Sequence, residues 1–182
     1  MHTYHKPLDL VRERSPERPV ALARPDAVAV AARWFQENFK GDVFYAVKAN
    51  PAEEILTRLA ALGSSFDTAS IGEIDLCLRC GVDASRLSFG NTIKKQRDIE
   101  AAYRRGVRLF AFDSEEELLK LAEAAPGSKV FCRILVDCEG AEWPLSRKFG
   151  CELPMAADLL ERARSLGLDP YGISFHVGSQ QT

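Results

Sequence analysis

The chain has 182 residues, 46% of them apolar and 27% charged, which is ample material for a globular core. A formal net charge of −2 and a pI near 6.0 leave no basic footprint for nucleic acid. No apolar run approaches the ~18–20 residues that a membrane-spanning helix needs.

The opening stretch, MHTYHKPLDLVRERSPERP, is polar and charged and lacks the apolar segment of a secretory leader. It marks residues 1–18 as an arm, with His2 and His5 as bystanders rather than metal ligands. Beyond it a rhythm sets in. Six apolar-periodic helical segments are each closed by a glycine, at Gly41, Gly63, Gly81, Gly106, Gly127 and Gly167. A short strand candidate follows each one: 43–47, 64–67, 86–89, 107–112, 129–136 and 171–177. Several are nearly continuous apolar runs, as parallel strands covered on both faces are. Helix starts are marked by Asn50-Pro51-Ala52-Glu53, Ser70-Ile71-Gly72-Glu73 and Ser114-Glu115-Glu116-Glu117, the last two as capping boxes. The stretch 137–151, DCEGAEWPLSRKFGC, is the least regular and is expected to be a long functional loop.

The five cysteines are odd in number and show no framework spacing, which points to a reducing, cytoplasmic setting. Cys77 and Cys80 form a C-x-x-C pair, but no second pair completes a zinc site. The pair also falls at a helix end rather than at a helix start, where thiolates are stabilised. Core packing is the expected role.

Alternating strands and helices define an α/β protein with a parallel sheet. Two architectures fit that pattern. An open doubly wound sheet usually carries G-x-G-x-x-G after its first strand, and neither that motif nor a P-loop is present. A (β/α)8 barrel takes ~250 residues, so six strands make only part of one. In both, chemistry gathers at the C-terminal ends of the strands. Those positions are Lys48, Asp67, Gly90 and Asn91, Asp113, Arg133 with Asp137, and His176 with Gly178 and Ser179. A lone lysine usually extends its amine to solvent along apolar surface. At a strand end, desolvation would favour its neutral amine, which attacks carbonyls to form a Schiff base, as a pyridoxal phosphate enzyme requires. An imidazole lies flat on an aromatic ring, a glycine admits close backbone approach, and a serine hydroxyl donates to a phosphate. Asp67 would pair with an amine or imidazolium.

The segments FYAVKANP, FDTASIGEI, SFGNTIKK, FAFDSEEEL, LSRKFG and SFHVGSQQT resemble, in order and spacing, the ornithine/diaminopimelate/arginine decarboxylases, whose barrel is similar to that of alanine racemase. The resemblance covers about residues 20–182 and is strongest toward the ornithine decarboxylase branch. It implies an incomplete (β/α)8 barrel of about six βα units that binds pyridoxal 5′-phosphate (PLP). It also implies a PLP-dependent carboxy-lyase converting ornithine to putrescine for polyamine biosynthesis, homodimeric at full length. Lys48 aligns with the lysine that holds the cofactor and aids proton transfer, His176 with the histidine stacked on its ring, and Ser179 with a phosphate-binding serine. Asp67, Glu73 and Arg133 align with polar residues around them, although the capping box already accounts for Glu73.

The remaining barrel strands and the C-terminal β domain of that family are absent from the chain, which stops just past the sixth strand. Residues 19–182 are therefore expected to be the N-terminal part of the PLP-binding barrel, inactive alone. A lysine/ornithine or diaminopimelate decarboxylase, and a non-catalytic PLP-binding homologue that pairs with a decarboxylase, are the alternatives.

Overall fold

The structure is a computed structural model that describes residues 4–137, 140–143 and 148–181. His2, the Leu145–Ser146–Arg147 part of the LSRKFG segment and Thr182 lie outside the described residues. Helices α1 (Pro7–Arg14) and α2 (Pro25–Asn38) come first. There follow β1 (Phe44–Ala46), α3 (Glu53–Ala61), β2 (Ser65–Thr68), α4 (Ile71–Arg79), β3 (Leu87–Phe89), α5 (Gln96–Arg104), β4 (Leu109–Phe112), α6 (Glu115–Ala124) and β5 (Lys129–Arg133). The chain continues through β6 (Ala141–Trp143), α7 (Leu153–Ser165), β7 (Asp169–Ser174) and β8 (Ser179–Gln181). No helix among the described residues is long and apolar enough to cross a membrane.

The six expected strands form one parallel sheet in the order β1-β2-β3-β4-β5-β7, with helical crossovers. The order never reverses. A doubly wound sheet must reverse to place helices on both faces, whereas right-handed crossovers in one direction stack all helices on one face. The core lies between that helical layer and the sheet. Phe66, Phe110, Phe112, Leu56, Ile74, Leu87, Ile99, Leu118 and Leu121 are fully buried there. Each contributes about 1.5–3 kcal/mol of apolar burial.

The helix ends follow the sequence closely. Gly63, Gly81, Gly106, Gly127 and Gly167 all have φ between +71° and +95°. At Gly63 the motif is fully formed, with the Gly63 and Ser64 amides donating to the Ala60 and Leu59 carbonyls. Gly41 is the exception: it does not share the positive φ of the other five, and α2 ends three residues before it, with extended Phe39 as its C-cap.

Four local expectations change. Asn50 is not a helix cap; its Oδ1 accepts from the Ala52 amide, and Ala52 is the N-cap of α3. Ser114 caps α6, but the Glu117 carboxylate turns into the core instead of reaching back. The arm contains a short helix, α1. Within the irregular stretch, β6 pairs antiparallel with β8, a pairing the sequence pattern did not mark.

Candidate active site

The strand register decides which side chains share a face. Ala46 lies beside Asp67, Asp67 beside Ser88, and Phe89 beside Phe110. Ala111 lies beside Phe131, and Arg133 beside Ser174. Successive strand residues alternate faces. Asp67, Ser88 and Arg133 therefore fall on the face opposite the helices, and Lys48 and His176, just past the C-terminal ends of β1 and β7, lie near enough for Lys48 to act on Asp67 and for Arg133 and Lys48 to act on His176. Val47, Phe66, Thr68, Phe89, Phe112 and Cys132 fall on the buried, helix-covered face.

Lys48 sits in a single 3₁₀ turn, Val47–Ala49, directly after β1. The turn is held on both sides. Val47 is fully buried, and the Tyr45 hydroxyl donates to the Asn50 carbonyl at 3.2 Å. Against the expectation of a desolvated amine, the Lys48 side chain is exposed on a fixed backbone.

Asp67 is half-buried at the end of β2. The Ser88 hydroxyl donates to its Oδ1 at 2.7 Å. Burial pushes its carboxyl above the usual range; the Ser88 bond and the Lys48 charge oppose that rise, and Glu73 adds to it. Glu73, on α4, accepts from the Ala69 amide at 2.6 Å, while Ser70 caps the same helix. Its capping role, expected from sequence, is present, and its charge still reaches Asp67.

His176 is half-buried and its Nδ1 accepts from the Gly178 amide at 2.9 Å. Burial lowers its pKa, and the Arg133 and Lys48 cations lower it further, so the neutral imidazole is favoured. Gly178 has φ +96°, which lets the chain turn back onto the ring. Ser179 is exposed in the two-stranded sheet, opposite Trp143.

Arg133 lies with its guanidinium 5.4 Å from the centre of the Phe149 ring. Phe149 is brought there because the Gly150 amide donates to Asp113 Oδ2 at 2.8 Å and Cys151 bridges to Ile134. Gly150 is needed at that bend: its φ is +102°, and an added Cβ would lie 2.8 Å from the Ile134 carbonyl carbon. The structure thus joins Lys48, Asp67, Arg133 and His176 electrostatically, with Gly178 holding His176. Sequence reasoning missed Ser88, whose relation to Asp67 exists only through strand register.

The chemistry of this donor set fits PLP. It offers an exposed primary amine for an aldehyde, a neutral imidazole for a flat ring, cations for a phosphate and a carboxylate beside the amine. Cys77 and Cys80 are separate from it. Cys77 is fully buried on α4, its thiol pushed up to about 12 by burial, as a core residue should be.

A singly wound parallel α/β sheet with an amine, an imidazole, an arginine and a half-buried acid at its strand ends defines a barrel-type small-molecule-binding domain. A family model described as pyridoxal-dependent decarboxylase, pyridoxal binding domain, matches residues 26–182. The chain belongs to this family of PLP-binding decarboxylases. A lysine/ornithine decarboxylase of Selenomonas ruminantium is 43% identical over 163 residues, covering 89% of this chain and 42% of that protein. Ornithine decarboxylase of Mus musculus is 44% identical over 147 residues, covering 81% and 32%. Among solved structures, lysine decarboxylase from Selenomonas ruminantium superposes with a TM-score of 0.88 at 40% identity, over 100% of this chain and 48% of that one. A SrLDC mutant in complex with PLP gives a TM-score of 0.90 at 40% identity, over 100% and 47%. The chain spans less than half the length of each of these relatives.

Proposed function

We propose that the chain is the cofactor-binding barrel portion of a decarboxylase acting on a basic amino acid, with ornithine giving putrescine as the first candidate. The observation that carries this reading is Lys48. Its backbone is fixed, its side chain is exposed, and its charge acts on both Asp67 and His176. Lysine is the second candidate substrate, because the Selenomonas relative is named for both amino acids.

In this reading Lys48 would hold PLP through its amine, His176 would lie on the ring, and Ser179 and Arg133 would meet the phosphate and ring substituents. Asp67 would balance the cationic amine. When bound, PLP supplies an electron sink for the carbanion that loss of CO2 leaves at Cα. Lys48 would hold or give up a proton at Nζ, the acid–base role open to its amine once displaced from the cofactor. His176, neutral and anchored at Nδ1, fixes one face of the ring region without adding positive charge. Gly178 keeps that anchor in place.

The whole protein would be a cytoplasmic homodimer, with residues 1–18 as an arm and 19–182 as the N-terminal part of the barrel. The test is borohydride reduction of the chain with PLP, followed by peptide mass spectrometry. A pyridoxyl adduct on Lys48 is expected, lost in Lys48→Ala. An adduct only at other lysines, or none, refutes the reading. Release of CO2 from ornithine against lysine, in the whole protein that carries this chain, decides the substrate.

A further inference from the structure

Asp67 occupies an unusually specified seat. Its carboxylate meets two constraints across the sheet, one on β3 and one just past its end. Ser88, only 4% exposed, aims its hydroxyl at Oδ1. Gly90 lies against the same carboxylate: a Cβ built there would be 2.8 Å from Cγ and from Oδ2, and nearer still to Oδ1. β3, which carries Ser88 and leads into Gly90, is locked to β2 by Thr68, whose buried hydroxyl donates to the Ser88 carbonyl at 2.6 Å. The Thr68 carbonyl in turn accepts from the Gly90 amide at 2.9 Å.

We propose that Ser88 and Gly90 are positioning residues that fix the orientation and charge of Asp67, and through Asp67 the readiness of Lys48 to react with an aldehyde. This deepens the reading of Lys48 as the PLP-binding amine and rests on it.

Charge links these residues. A buried hydroxyl needs an acceptor, and an ionised carboxylate is the strongest available. The bond therefore favours ionised Asp67 against its burial. Two titratable groups act on Asp67 besides, Lys48 from the end of β1 and Glu73 from α4, with opposite signs. Removing the Ser88 hydroxyl removes a bond that favours the ionised carboxylate and lets that carboxylate leave its seat, so the anion whose charge acts with Lys48 is no longer held in one place. Gly90 matters because any side chain there would push the carboxylate off Ser88. A serine that merely satisfied its own hydroxyl would change stability when replaced, but not the titration of Asp67 or the chemistry of Lys48.

The experiment uses the full chain and two readouts. Carbon-13 carboxyl NMR follows the Asp67 titration, assigned by the resonance lost in Asp67→Asn. Absorbance follows the rate of PLP capture at pH 7. In Ser88→Ala the Asp67 midpoint moves up and the capture rate changes by about two- to fivefold, the scale of disturbing one partly exposed charge pair. Ser88→Thr, which keeps the hydroxyl, returns both toward the parent values. In the Gly90→Ala background, Ser88→Ala produces no further change, because the bond is already broken. If Ser88→Ala unfolds the chain, Ser88→Cys, nearly equal in volume and a weak donor, is measured in its place with the same expected direction. Unchanged titration and capture in a folded Ser88 variant overturn the proposal. If the parent chain forms no Lys48 adduct, the PLP reading fails on its own, while the Asp67 titration still decides whether the seat exists.

Discussion

Lys94 is the most consequential buried charge in the chain, and replacing it by methionine tests how the loop after β3 is held. The Lys94 side chain has no exposed surface. Its Nζ donates to the Asn91 carbonyl at 2.9 Å and the Ala111 carbonyl at 2.5 Å, and lies 2.9 Å from Glu117 Oε1. Glu117, 3% exposed, also receives Lys120, which is 30% exposed and donates to the Lys94 carbonyl. One ammonium thus ties the loop to β4 and α6. Lys94→Met leaves two carbonyls without that donor and Glu117 with a single, half-solvated cation. The expected cost is about 3 kcal/mol at pH 7, at the low end for breaking a buried pair because Lys120 remains. The double variant Lys94→Met/Glu117→Leu should recover most of it, since removing both charges removes the desolvation penalty. The pH dependence has a definite sign. Burial, only partly offset by Glu117, lowers the Lys94 pKa from 10.5 to about 8. Between those values the unfolded chain holds a proton that the folded chain has released. Stability from Lys94 therefore rises with pH across that window and is flat below it, by at most about 3 kcal/mol. Urea unfolding of the parent and Lys94→Met at pH 7, 8, 9 and 10 measures this as a difference in which the other titrating groups cancel. A Lys94→Met variant within 0.5 kcal/mol of the parent at pH 7, a threshold of about the size expected for an inert surface change, refutes the reasoning. So does a difference that does not widen between pH 8 and 10.

Two further outcomes are expected. Cys77, with its thiol held up near 12, resists iodoacetamide at pH 8 in the folded chain and reacts at once in urea; rapid native labelling, or ready oxidation with Cys80, would show a redox pair instead of a core residue. Phe110, fully buried on β4 with its ring centre 6.3 Å from that of Phe89, costs about 3–5 kcal/mol when cut to alanine in denaturant unfolding; a loss below 1 kcal/mol would mean that the sheet–helix core closes around the gap.

The features legible in the sequence are those fixed by a few consecutive residues. A helix ending in glycine reports its own backbone, and five of the six glycines singled out adopt the positive φ that such an end requires. A parallel strand buried on its helix side ends about where its apolar run ends, which is why Lys48 and Asp67 could be placed at strand ends before any contact was known, whereas β5 stops at Arg133, short of the Asp137 end its apolar run suggested. Boundaries slipped where a neighbour decides them: β7 begins at Asp169 rather than at position 171 because Lys129 and Val130 of β5 offer it partners there. The β6–β8 pairing escaped for the same reason, as its partners are about forty residues apart and neither half is periodic by itself.

The two Ser-x-x-Glu signatures show most directly why local chemistry underdetermines a site. Both serines cap their helices, each accepting from the third amide at 3.3 Å. Glu73 then turns back to the Ala69 amide, as a capping glutamate does, and remains near enough to Asp67 to act on its charge. Glu117, with the same local sequence, goes the other way, because the loop after β3 presents a lysine that has no water to solvate it. A capping bond at a helix end contributes about 1 kcal/mol, whereas an uncompensated ammonium in the core costs several. The stronger demand decides the rotamer. The same ordering governs Asp67. Its neighbours in sequence mark only a helix-entry acid, and its seat is set by Ser88 and Gly90, twenty-one and twenty-three residues further on, which parallel register brings alongside. Where lateral alignment supplies the stronger partner, the sequence names the residue and the fold assigns its task.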